Sequence, residues 1–224
     1  MVTALDPVNL ADSAFKHACH ACAFFHSKEE AYKVLLPFIL QGFERGDRAF
    51  HIVGPDRRAA HLRQLELAGI DTAAAQAQGT LEVATWDETY LQDGRFDQER
   101  MIATLLSMLD PGNAPPGRMS RNIATMEWAL DATLGRHDVV EYEARLNQAL
   151  PAVHDPVICT YDLAQFDAST VIDIMRTHPM VIIGGILQEN PFFIPAEQML
   201  AEIAQRKQHL PPPGAAAGGS PMPV

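Results

Sequence analysis

The sequence predicts an α/β fold of three layers, in which a mostly parallel central sheet lies between two layers of helices. Short apolar runs typical of buried strands alternate with amphipathic segments along the chain. Strands separated by helices pair in parallel, because a hairpin turn cannot join them. The composition, 47% hydrophobic and 20% charged, is that of a globular protein, and 224 residues suffice for one such domain.

Each element follows from spacing and from its end signals. The first helix carries Leu35, Ile39 and Phe43 on one face, contains Pro37 as an expected kink and ends at Gly46. The predicted strands cover residues 18–25, 48–53, 80–85, 119–127, 157–161 and 180–186. The predicted helices cover residues 28–46, 56–68, 97–109, 139–150, 168–176 and 195–208, and residues 110–117 are an expected loop.

The domain organisation is simple. We expect a leader over residues 1–17, a folded domain over residues 18–209 and a disordered tail over residues 210–224, which are rich in Pro, Gly and Ala. The start lacks a signal-peptide pattern, and the longest apolar run, residues 180–187, is too short to span a bilayer. We therefore expect a cytoplasmic protein without membrane contact, whose three cysteines are reduced thiols.

The net charge of −11 argues against direct binding of nucleic acid, which requires a basic surface. We also find no helix-turn-helix or zinc-finger spacing. The turn after the first strand, residues 26–30, reads His-Ser-Lys-Glu-Glu where a nucleotide-hydrolysing domain has a glycine-rich phosphate loop. Two glutamates at a helix start repel a polyphosphate, so we expect no ATP here.

Ligands of open parallel sheets bind beyond the carboxyl ends of the strands. The predicted strand ends carry aromatic side chains with few polar groups among them: Phe24, Phe25, Trp86, Glu127, Trp128 and Tyr161. Such a mixture suits a small, partly apolar ligand. The alternative is that these aromatic side chains only cover the end of the sheet.

A second candidate site involves the cysteines. Strand alternation places His20 and Cys22 on one face of the first strand, and Cys159 shares a face with Tyr161 on the fifth. If these strands are neighbours, His20, Cys22 and Cys159 approach one another and suit zinc or a haem iron. The alternative is that the thiols pack as small apolar groups.

A third group comes from the helices. Glu143 and Asn147 share one helix face, and with Glu127 they suit the polar side of a pocket or the acid and base of a degenerate ATPase or hydrolase. The alternative is a solvated helix face. His178 precedes Pro179 at a helix end, where it can donate to helix carbonyls. Because neither a phosphate loop nor a catalytic triad is recognisable, we expect that the protein is not an enzyme.

An ordered series of short motifs runs through the chain: His20-x-Cys22-Ala-Phe-Phe-x-Ser-x-Glu-Glu30, Leu35-Leu-Pro-Phe-Ile39, Gly42-Phe-Glu-Arg-Gly46, Gly79-Thr-Leu81, Tyr90-Leu-x-x-Gly-x-Phe96, Met126-Glu-Trp128, Tyr142-Glu-x-x-x-Asn147, Cys159-x-Tyr-Asp162 and Thr177-His-Pro179. This series resembles the MEDS domain, the sensory domain of DcmR-type regulators of methanogens and methylotrophs. The resemblance covers residues 18–195.

The resemblance implies a RecA/KaiC-like fold that has lost its ATP-binding loop and senses small hydrocarbon derivatives in signal transduction or transcriptional regulation. It places these residues at motif positions: His20, Cys22, Glu127, Glu143, Cys159, Tyr161 and His178. DcmR-type regulators also contain a DNA-binding segment, which is not recognisable here. We therefore expect action through a protein partner, such as a histidine kinase or an anti-sigma component, with a homodimer as an alternative.

Overall fold

The structure is a computed structural model that describes residues 8–11, 13–15, 20–109, 118–131, 133–150 and 155–208. Its strands are β1 (Val8–Leu10), β2 (Ser13–Phe15), β3 (His20–Phe25), β4 (Arg48–Val53), β5 (Leu81–Thr85), β6 (Ser120–Thr125), β7 (Val157–Asp162), β8 (Met180–Ile183) and β9 (Ile186–Glu189). Its α-helices are α1 (Lys28–Arg45), α2 (Arg58–Leu67), α3 (Thr72–Ala77), α4 (Gln98–Met108), α5 (Arg136–Ala149), α6 (Ala168–Thr177) and α7 (Ala196–Gln208). Short 3-10 helices cover Pro55–Arg57, Gln92–Gly94 and Glu127–Leu130.

A seven-stranded sheet forms the middle layer, in the order β5-β4-β6-β7-β3-β8-β9. The six strands from β5 to β8 in this order are parallel, and only the edge strand β9 is antiparallel to its neighbour. The prediction of a three-layer α/β fold with a mostly parallel sheet is confirmed. Strands β3 and β7 are neighbours, which is the condition for His20, Cys22 and Cys159 to approach one another. Cys22 lies directly opposite Cys159.

Helices cover both faces of the sheet. Helices α1, α2 and α3 pack on one face, where Ala21, Ala23 and Phe25 of β3 point. Helices α4, α5 and α6 pack on the other face, above Cys22 and Phe24, and α7 packs on the outer side of α5. No helix in the described ranges is long and apolar enough to cross a bilayer.

Two elements differ in kind from the predictions. The apolar run 180–186 is not one strand but the start of the β8–β9 hairpin, because Gly184 (φ 58°) and Gly185 (φ 77°) form its two-residue turn. Helix α3 was not predicted, since six residues are too few to show a helical period. Helix α1 contains Pro37 and agrees with the helix predicted over residues 28–46.

Parts of the expected leader are ordered against the domain. Strands β1 and β2 form an antiparallel pair, and Leu10 is buried in the core between the sheet and α1. The Leu187 amide donates to the Ala11 carbonyl at 3.3 Å, and the Ser13 hydroxyl donates to the Leu187 carbonyl at 2.9 Å. The rest of the leader (residues 1–7, 12 and 16–17), the loop 110–117 and the tail 210–224 lie outside the described residues.

A buried ion pair fastens α1 to the sheet. Arg121 Nε and Nη2 lie 3.0 and 2.9 Å from Asp47 Oδ2, and Arg121 Nη1 donates to the Phe38 carbonyl and to Gln41 Oε1. Both charged side chains are about 1% exposed. Gly42 makes room for the arginine, because a Cβ at this position would lie 2.7 Å from Arg121 Cδ.

Candidate functional site

A cleft of about 1060 Å³ opens where the parallel strands end, between α1, α2 and the segments that follow β5, β6 and β7. Its walls are mainly apolar. Five of the predicted strand-end residues line it: Phe25, Trp86, Glu127, Trp128 and Tyr161. The sheet topology therefore places a ligand-sized volume where open α/β sheets bind their ligands.

Four buried polar atoms of cleft-lining residues have no hydrogen-bond partner among the described residues: His51 Nε2, Thr125 Oγ1, Glu127 Oε2 and Trp128 Nε1. His51 on β4 is fully buried, yet its Nε2 makes no hydrogen bond to any described residue. Oε2 of Glu127 is also buried and unpaired in the described part of the chain, and burial raises the pKa of this carboxyl group. Buried polar groups are almost always hydrogen-bonded. An occupant of the cleft would supply the missing partners.

His51 is the innermost of three side chains that are linked by hydrogen bonds. Its Nδ1 lies 2.8 Å from His61 Nε2, and His61 Nδ1 lies 2.8 Å from the Tyr32 hydroxyl. Burial lowers the pKa of His61 to about 4 and that of His51 well below its usual value, and it raises the pKa of Tyr32 to about 12. All three groups are therefore neutral at pH 7. The hydrogens of such a chain can point in either direction, so His51 Nε2 can present an N–H donor or a lone pair.

In the turn between β3 and α1, where a phosphate loop would lie, backbone amides are hydrogen-bonded to side chains of the same segment. Ser27 caps α1 by accepting from the Glu30 amide at 3.2 Å. Glu30 Oε2 in turn accepts from the His26 amide at 2.7 Å. Backbone N–H groups at this position bind phosphate in nucleotide-hydrolysing domains. In this protein the His26 amide is instead hydrogen-bonded to the side chain of Glu30 in α1.

A second polar group lies inside the other layer, between the sheet and helices α5 and α6. We call His20, Glu143, Cys159 and His178 the buried cluster; each is at most 4% exposed, and one ligand atom from each lies within 4.8 Å of the other three. Burial raises the pKa of the Cys159 thiol and lowers that of His178, so both are uncharged at pH 7 in the absence of a bound ion.

Tyr161 connects the two polar regions. It lines the cleft, and its hydroxyl donates to Glu143 Oε1 of the buried cluster at 2.7 Å. Burial raises the pKa of Tyr161 well above its usual value, so the phenol keeps its proton. A displacement of this side chain by an occupant would alter the surroundings of Glu143.

A family profile described as MEDS, the methanogen/methylotroph, DcmR sensory domain, matches residues 19–179, which include the cleft and the buried cluster. The chain belongs to the MEDS family. Among solved structures, a KaiC-like protein from the hyperthermophilic archaeon Pyrococcus horikoshii OT3 superposes with a TM-score of 0.58 at 13% identity, over 79% of this chain and 80% of that one. At this identity the likeness shows a RecA/KaiC-like fold only. No curated protein matches the sequence.

Two residues that the sequence analysis assigned to the candidate sites, Phe24 and Cys22, lie outside them in the structure. Phe24 lies under the α4–α6 layer against the Tyr161 ring, 5.6 Å away, and does not line the cleft. Cys22 donates to the Met180 carbonyl at 3.8 Å and is not among the converging ligand atoms, so the set of His20, Cys22 and Cys159 is not assembled. Glu143 takes the place of Cys22 among these ligand atoms.

Three further relationships are clear from the geometry. His178 Nδ1 lies 2.9 Å from the Ile174 carbonyl, which confirms its predicted contact with the end of the helix. Glu127 lies in the cleft and Glu143 in the buried cluster, so the two carboxyl groups belong to different polar regions. The four ligand atoms of the buried cluster lie within 4.8 Å of one another, close enough to hold a single metal ion.

Sequence reasoning did not predict the chain of Tyr32, His61 and His51. One feature of the sequence could have indicated the role of His51. His51 lies within an apolar strand at a position facing the same layer as Ala49 and Val53. A histidine in such a place needs a partner or a ligand.

We expect the stability of the MEDS domain to fall as the pH is lowered from 6.5 towards 4. His61 stays neutral in the folded state until about pH 4, whereas in the unfolded chain it takes up a proton near pH 6.5. The unfolded state then binds more protons, which costs about 1.4 kcal/mol per pH unit for each such histidine. Urea unfolding of His61→Gln should show a shallower pH slope by this amount. A slope in His61→Gln equal to that of the wild type would contradict the assignment.

Proposed function

We propose that this MEDS domain is a small-molecule sensor whose ligand occupies the cleft, and that it binds without turning the ligand over. The observation that supports this proposal most directly is the unpaired His51 Nε2 inside a cleft of about 1060 Å³. A solvent-exposed groove does not need such a group. A binding pocket does, because a few buried polar atoms orient an otherwise apolar ligand.

The lining favours one class of ligand. Phe25, Trp86 and Trp128 offer apolar surface, while His51 and Glu127 offer hydrogen bonds from the floor. The Glu30 carboxylate at the start of α1 disfavours a phosphate. We propose an uncharged hydrocarbon derivative, with an apolar body and a hydroxyl, carbonyl or halogen substituent directed at His51.

Ligand binding should change the tryptophan fluorescence, because both tryptophans of the chain line the cleft. A panel of alcohols, ketones and halogenated hydrocarbons can be titrated into the full chain while fluorescence and thermal unfolding are followed. A true ligand at 100 times its Kd should add about 2.7 kcal/mol to the free energy of unfolding. The variant His51→Phe should weaken binding about 5- to 150-fold, since it removes a buried hydrogen bond worth about 1 to 3 kcal/mol.

The control is Glu197→Gln, an exposed position on α7 away from the cleft. This variant should bind as the wild type does. Stabilisation by a ligand that is the same in His51→Phe and in the wild type would place the ligand elsewhere. A flat response to the whole panel would count against the proposed class.

We further propose that the signal leaves the domain through a protein contact, with a histidine kinase, an anti-sigma component or a second copy of the chain. Support for this comes from the membership of a sensory family. Light scattering on the full chain, with and without a ligand found in the panel, tests the second copy. ATP turnover by the purified chain would contradict a purely binding role.

A further inference from the structure

The hydrogen positions in the buried cluster can be derived from its neighbours. Asn147 Nδ2 donates to the carbonyls of Glu143 and Thr177, so its Oδ1 must accept from His20 Nδ1 at 2.9 Å. His178 Nδ1 lies 2.9 Å from the Ile174 carbonyl, which can only accept. Both histidines therefore carry a hydrogen on Nδ1, which leaves each Nε2 as the atom that can bind a cation.

Both Nε2 atoms lie close to the same carboxylate oxygen. His20 Nε2 and His178 Nε2 lie 3.3 and 3.4 Å from Glu143 Oε2. Within the described part of the chain, His178 Nε2 has no hydrogen-bond partner. The thiol of Cys159 lies 3.6 Å from His20 Nε2. Two ring nitrogens, a carboxylate oxygen and a sulfur therefore converge away from water, and a cation between them would stabilise this arrangement.

The spacing fits one particular cation. Zinc bonds of about 2.0 to 2.3 Å in a tetrahedron place the ligand atoms about 3.3 to 3.6 Å apart. The nitrogen–oxygen distances of 3.3 and 3.4 Å and the sulfur–nitrogen distance of 3.6 Å match, and the sulfur–oxygen distance of 4.0 Å is slightly longer. Each histidine and the carboxylate are also oriented by a second hydrogen bond, from or to Asn147, Ile174 and Tyr161.

We propose that the buried cluster is a closed site for a single divalent transition-metal ion of the zinc type, held by four atoms: His20 Nε2, His178 Nε2, Glu143 Oε2 and Cys159 Sγ. Binding replaces the thiol hydrogen of Cys159, which leaves as a proton to the solvent. The charge of +2 on the ion is then balanced by one thiolate and one carboxylate, so the buried site is neutral. With four protein ligands the ion is structural, and it joins β3, β7, α5 and the end of α6.

The test measures metal in the full chain. The protein is unfolded with a reductant and a chelator, refolded with zinc, dialysed and analysed for metal. The wild type should retain one zinc per chain, and Cys159→Ser and Glu143→Gln should retain only traces. Cys22→Ala is the matched control, because Cys22 lies opposite Cys159 in the sheet. This variant should retain one zinc per chain. Asn147→Ala, which removes a positioning group, should lower zinc affinity about 10- to 100-fold.

Cobalt provides a readout that does not depend on the variants folding. Cobalt in the wild-type site should give the absorption of a tetrahedral ion with a thiolate charge-transfer band, and this band should be retained in Cys22→Ala. A wild type that refolds without zinc, a folded Cys159→Ser that keeps it, or a cobalt spectrum without the thiolate band would overturn the proposal. A proton shared by Glu143 and the histidines would then hold the cluster together.

Discussion

Replacing Asp47 with alanine is expected to lower the free energy of unfolding by about 3 to 5 kcal/mol, with a decrease in Tm on the order of 10 °C. The reason is the environment of Arg121, which is fully buried and loses its only carboxylate contact among the described residues. The Met119 amide also loses its acceptor, Asp47 Oδ1, at 3.3 Å. An uncompensated buried guanidinium is more costly than the lost attraction itself.

The control is Glu82→Ala, which breaks the ion pair with Arg48 at 2.6 Å. This pair is equally short, but the Glu82 side chain is 45% exposed, so water replaces the carboxylate. We expect a change below about 1 kcal/mol. Chemical denaturation of both variants measures the difference. Similar losses in the two variants would mean that burial does not control the strength of these pairs.

The fold could be predicted because its signals are local. Period and end signals follow from stretches such as 48–53, where the predicted strand and β4 coincide. The β8–β9 hairpin was hidden, because Gly184 and Gly185 interrupt a run that is apolar on both sides. The motif series also sufficed to suggest the MEDS family, since the order of the motifs carries information that no single motif has.

The candidate site was predicted only in part, because its geometry depends on neighbours that are distant in sequence. Strand alternation correctly put His20 and Cys22 on one face, but it could not show that the Cys22 thiol faces the Met180 carbonyl. Glu143 and His178 were each noticed as single residues. Their convergence on Cys159 requires the packing of α5 and α6 on the sheet, which the sequence does not specify.

Glu143→Ala is expected to be nearly as destabilising as Asp47→Ala, even in a chelator that removes any bound ion. The substitution leaves a cavity and removes the acceptor of the Tyr161 hydroxyl, a buried donor. A lost partner of a buried polar group costs about 1 to 3 kcal/mol, and the missing side-chain volume adds to this, so the total is about 3 to 5 kcal/mol. Urea unfolding in the presence of a chelator measures it.

Glu143→Gln should behave oppositely under the same conditions. Its amide oxygen can still accept from Tyr161, while its NH₂ group faces His20 Nε2 and His178 Nε2. We therefore expect Glu143→Gln to be within about 1 kcal/mol of the metal-free wild type, because the amide keeps the contact with Tyr161 and fills the same volume. If glutamine is instead as harmful as alanine, the carboxylate charge itself is required, and the histidine beside it must carry a second proton in the metal-free protein.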